Sequence, residues 1–141
     1  MPGVRPLIAA GVVPKVLTDA WKKVNQQIIT QVELFPTLLL KHHFGQRFSN
    51  RRVLWFIDND GSRDSLISGA SDSVVSMKLV CTFCRHQRVY PSYNWFARVA
   101  SYSNPADLPS RSKIKEAAKL YGADIFEALP LPDSDLLFMK E

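Results

Sequence analysis

Val53-Leu54-Trp55-Phe56-Ile57 is an unbroken apolar run that ends abruptly in Asp58-Asn59-Asp60-Gly61. Five consecutive β-branched, aromatic and aliphatic residues predict a central strand buried on both faces. The polar end must leave the core. In open α/β sheets the carboxyl ends of strands face the ligand crevice, so Asp58 is placed where chemistry normally occurs. A chain organised around such a strand is expected to be α/β, with helices flanking its sheet.

The surrounding pattern supplies those helices. Pro14 to Lys23 reads as a short helix, with Pro14 tolerated at its start. Gln26 to Gln31 reads as a strand leading into a helix from Val32 to about Phe44, where Leu34, Phe35, Leu38 and Leu39 recur at helical spacing. Pro36 then belongs near the first turn, where its missing N–H breaks no ladder. Ser62 to Ser68 predicts another short helix, stopped by Gly69. Ser73 to about His86 predicts a longer one, capped by Ser71 or Asp72, with Val75, Leu79 and Phe83 along one face. Tyr93 to Ser101 alternates as a strand with Trp95, Ala97 and Val99 on one side. Pro105 opens a helical turn that contains Asp107. The expected division is one domain over residues 1–122 and a carboxy-terminal tail over 123–141, which packs as an arm or leads into a further domain.

Three acidic segments stand out in order: Val32-Glu33-Leu34, Asp58-Asn59, and Asn104-Pro105-Ala106-Asp107-Leu108-Pro109-Ser110-Arg111. They resemble the ribonuclease H-like domain that accompanies reverse transcriptases in retrotransposons and related elements. In that family a helix begins with a Glu-Leu pair, a strand ends in Asp-Asn, and a late Asn-x-x-Ala-Asp-x-x-Ser-Arg segment supplies another Asp. The resemblance covers residues 28 to 111. It implies a ribonuclease H-like mixed sheet flanked by helices, and metal-dependent hydrolysis of the RNA strand of RNA/DNA hybrids as part of a retroelement reverse transcriptase. Glu33, Asp58 and Asp107 would be its catalytic residues and the ligands of two divalent cations, Mg²⁺ or Mn²⁺. Asn59 and Arg111, beside the motif positions, would contact the substrate. The family's first acid lies on a strand upstream of the Glu helix. Here the only acid before Glu33 is Asp19, in Leu17-Thr18-Asp19-Ala20-Trp21, which does not match it. An amino-terminally truncated domain is therefore implied.

The chemistry explains why several acids matter: one carboxylate binds a hard cation poorly, whereas several converging on one point make a site able to cleave phosphodiesters. A net charge of +5 and a pI near 9.4 favour polyanionic partners. Lys41, Arg47, Arg51 and Arg52 lie in a stretch without acids, as do Lys78, Arg85, Arg88 and Arg98. Such runs either neutralise phosphates or form solvated faces. Expected partners are an RNA/DNA hybrid or other nucleic acid and a reverse transcriptase polymerase domain. No apolar run is long enough for a bilayer, and Val4 to Val13 is broken by Arg5 and Pro6. No membrane association is expected, and an intracellular location, cytoplasmic or nuclear.

Other residues have structural readings beside the functional ones. Cys81 and Cys84 form a Cys-x-x-Cys without a second pair for zinc, and are expected as buried thiols. His42 and His43 have a suitable pKa for proton transfer but sit far along the Glu33 helix, so a surface pair is expected. Trp55 and Trp95 read as core, or as base-stacking platforms if exposed. Glu33 and Asp107 are also explained by the macrodipole at helix starts, with Asn104 as a cap. Asp58 could cap the next helix, and Asp60 and Asp64 read as solvated. Two alternative functions follow: a degenerate, non-catalytic nucleic-acid-binding remnant of the domain, or an α/β protein-interaction domain.

Overall fold

The computed structural model describes residues 5–127 and 130–140. In chain order its elements are β1 (Leu7–Ile8), α1 (Lys15–Lys22), α2 (Ile29–His43), α3 (Gly45–Phe48), β2 (Arg52–Ile57), α4 (Asp60–Ser68) and α5 (Val74–Val89). They continue with β3 (Tyr93–Arg98), a 3₁₀ turn (Ser101–Ser103), α6 (Asp107–Ser110), α7 (Ile114–Tyr121), β4 (Asp124–Ile125) and α8 (Asp133–Lys140). Among the described residues the strands form two parallel pairs, β1 with β4 and β2 with β3, and the chain is α/β. There are two compact units: one takes the described residues up to Val12 and from Val99 to 127, the other Val13–Arg98 and the described residues from Pro130.

In the larger unit α2 packs along α5. Leu34, Phe35 and Leu38 of α2 and Val75, Leu79 and Phe83 of α5 are all buried, and each contributes roughly 1.5–3 kcal/mol of apolar burial. Local chemistry sets the ends of the next helices: Asn59 and Ser73 cap α4 and α5 with their side chains, and Gly69 ends α4 at φ 67°. The chain returns in α8, where the Met139 carbonyl accepts the indole N–H of buried Trp21 at 3.1 Å and so ties α8 to α1. In the smaller unit Leu7 pairs with Asp124 and Ile8 with Ile125, beside α7 with its buried Ala117.

Two expectations about α2 are corrected. Gln26 to Gln31 is not a strand, because the helix already begins at Ile29. Tertiary contacts hold that first turn: Gln31 is buried and its amide donates to Ser76 Oγ at 2.8 Å, while the Thr30 carbonyl lies 3.0 Å from Ser62 Oγ. Pro36 consequently falls inside the helix rather than near its first turn. It is exposed, and its ring nitrogen offers no N–H to the Val32 carbonyl one turn earlier.

The strand itself also differs from expectation. Trp55 and Ile57 are 6% and 8% exposed, but Leu54 and Phe56 are 66% and 64% exposed. An apolar residue at every position satisfies either parity, so the run alone does not say that two faces are covered. One face packs, with Trp55 against Phe48 and Phe83 at ring-centroid distances of 5.6 and 6.0 Å. Trp95, expected in the core, lies on the open side.

Candidate active site at the end of β2

The corner after β2 is built by a helix cap. Asn59 stays extended, and its Oδ1 accepts the Ser62 N–H at 2.8 Å to open α4. Ser62 is fully buried, and its hydroxyl lies 2.9 Å from Asn59 Oδ1 and 3.0 Å from the Thr30 carbonyl, with one proton to serve either. Gly61 permits this approach, since a Cβ there would sit 3.1 Å from Thr30 Oγ1. The first turn of α2 is thereby pinned to the Asp58–Ser62 corner. Glu33, three residues after Thr30, shares its side of the helix and comes within reach of the Asp58 charge.

The electrostatics record that approach. Glu33 is half-buried, and burial first, then the Asp58 charge, hold its carboxyl above the ordinary carboxylate range. Asp58 is exposed at the strand end. Carboxylate oxygens are the ligands a hard divalent cation prefers, but two of them are only part of such a donor set. Asp60 and Asp64 are matched by arginine: Arg63 lies 3.4 Å from Asp60 and 3.2 Å from Asp64.

Arg98 is the residue that sequence reasoning left in a general basic run. The parallel register sets it opposite Ile57, one residue before Asp58, and its Nε is 3.8 Å from Asp60 Oδ1. Only the register could have placed it.

Asp107 and Arg111 belong to the smaller unit. Asp107 opens α6, the Asn104 side chain accepts the Ala106 N–H at 3.0 Å, and Arg111 Nε stands 3.3 Å from the Asp107 carboxylate. The pair braces its own turn. Among the described residues no three His, Cys, Asp or Glu side chains are grouped to hold a metal. Asp19 pairs with Lys15 along α1 at 2.7 Å.

Several residues read as surface groups are part of the packing. His42 lies 5.0 Å from His43 and 5.1 Å from His86 between ring centroids, and His86 Nε2 is 2.9 Å from Asp135 Oδ2. These imidazoles join α2, α5 and α8, and burial, then His86 and His43, keep His42 below its ordinary pKa. Lys41 is fully buried, donating to the Tyr90 carbonyl at 2.8 Å and to Ser92 Oγ at 2.6 Å. Burial lowers the pKa of its ammonium. It anchors the entry to β3 and does not meet phosphate. Conversely, Cys84 is exposed and Cys81 half-buried on α5, so the expected pair of buried thiols is not formed.

Comparison with protein-family models, curated proteins and solved structures finds no match to this chain. Among the described residues no helix is long and apolar enough to cross a membrane.

Proposed function

We propose that the chain is a ribonuclease H-like domain of a retroelement reverse transcriptase, hydrolysing the RNA strand of RNA/DNA hybrids inside the cell with Mg²⁺ or Mn²⁺. The observation that carries this reading is the approach of Glu33 to Asp58 at the carboxyl end of β2. Two acids from separate elements share one corner, and neither helix capping nor the macrodipole requires them to meet. The basic balance of the chain and the order of the three acidic segments support it as well.

Glu33 and Asp58 would hold the cations; Asp107, in the smaller unit, is the further acid that the family resemblance names. When bound, the cations activate the attacking water and stabilise the leaving oxygen. Arg98 meets the phosphate next to the carboxylates. Asn59 commits its side-chain oxygen to the α4 cap, so it contacts substrate through its amide N–H groups. Arg111 orients Asp107. The Asp107–Arg111 pair, together with the lack of a matching acid before Glu33, favours a second reading: a remnant of the domain that binds nucleic acid without cutting it.

Cleavage of a labelled RNA/DNA hybrid in Mg²⁺ or Mn²⁺, run beside Asp58→Asn, tests both. Metal-dependent cleavage that the variant loses is the expected result. Hybrid binding without cleavage would replace the hydrolase by the remnant, and absence of both would overturn the two readings together.

A further inference from the structure

The open face of the β2–β3 sheet is an exposed apolar surface that the carboxylate corner does not use. Parallel strands are ordinarily covered on both sides, and an exposed apolar patch of this kind marks a binding surface. The register sets Arg52 opposite Tyr93, Leu54 opposite Trp95 and Phe56 opposite Ala97 on this face. Tyr93 and Trp95 are 72% and 69% exposed. Two residues apart on one strand, they rise from the same face with their Cα atoms about 6.6 Å from each other.

We propose that this face binds a single-stranded polynucleotide, with bases stacked on Trp95 and Tyr93 and the backbone drawn to Arg52 and the neighbouring Arg51. Charge selects that occupant. The shallow groove here is lined by Arg52, Val53, Leu54, Tyr93, Asn94 and Trp95, so its one charged residue is positive and it holds no carboxylate. A second copy of the chain is disfavoured, because an isologous contact apposes the same arginines from two molecules that each carry +5. Aromatic side chains beside a basic edge are what sequence-tolerant stacking requires. Leu54 and Phe56 extend the apolar floor under base and sugar edges. The proposal extends the nucleic-acid reading but needs no catalysis.

Trp95 also supplies the test. Trp21 and Trp55 are buried, so a base stacked on Trp95 quenches the exposed part of the fluorescence. A short oligothymidylate is titrated into the protein in EDTA, where no hydrolysis occurs, and affinities are read from the anisotropy of a labelled copy. Expected are fluorescence quenching, binding that weakens as salt rises, and a loss of about 5- to 100-fold for Trp95→Ala and for Tyr93→Ala. Binding unchanged in Trp95→Ala overturns the proposal, whatever the hybrid-cleavage assay gives. So does no oligothymidylate binding, or concentration-dependent self-association in sedimentation that hides Trp95. Trp95-dependent binding in a protein that never cleaves hybrids sustains this face and removes the hydrolase.

Discussion

Trp55 and Trp95 stand on neighbouring strands of one sheet and live in opposite surroundings. The Trp55 ring packs with Phe83 and Phe96 at centroid distances of 6.0 and 6.3 Å, and its indole donates to Asn94 Oδ1 at 3.0 Å. Behind it a buried polar chain continues through Ser92 to Lys41. Trp95 lies in the open, with Leu54 opposite it across the strand pair. Residues of one chemical kind therefore divide into a set that holds the fold and a set that does not. The second set, with the carboxylates at the strand end, is where function is read.

Truncation should separate the two faces most strongly. Trp55→Ala removes a large buried ring and its hydrogen bond, and should cost about 3–5 kcal/mol in denaturant unfolding. A loss under about 1 kcal/mol would mean that the inner face is not the core of this unit.

The carboxylate corner should respond in the other direction. Because the Glu33 carboxyl titrates above its unfolded value, the native state binds more protons than the unfolded one over that window, and stability falls as pH rises through it. The penalty persists at neutral pH. Glu33→Gln should therefore raise Tm at pH 7 without divalent metal, and the gain should vanish below about pH 4, where the carboxyl is protonated in both states. A lowered Tm at pH 7 would show that Glu33 is kept for stability and not for a ligand.

The smallest effect is expected on the outer face. Leu54→Ala should change unfolding free energy by no more than about 0.5 kcal/mol, since the side chain is already in water. A cost near that of a core leucine would show this face covered in solution, and would erase its contrast with the inner one.

Much of the local structure was legible in the residues. The stop at Gly69, the Val75, Leu79 and Phe83 face, and the strand ending at Asp58 each depend on side chains within a few positions of one another, whereas the caps fall on Asn59 and Ser73 rather than on Asp58 and on Ser71 or Asp72. The family resemblance puts Glu33 and Asp58 in one site; the residues alone gave only single acids in order, because the packing between them rests on Thr30 meeting Ser62 across a gap in the chain. Arg98 needed the parallel register. Burial of Lys41 and the His42–His86–Asp135 junction needed the packing of α2 on α5 and the return of α8.

The sequence by itself determined the α/β class, the helix stop at Gly69 and the position of an acid at a strand terminus, because period, capping and turn chemistry act over one or two turns. Tertiary structure alone decided which side of the apolar strand is covered, which acids meet and which basic groups reach solvent. Those outcomes depend on what packs across the chain, and an unbroken apolar run or a cluster of like charges is compatible with either answer until a neighbouring element excludes the water.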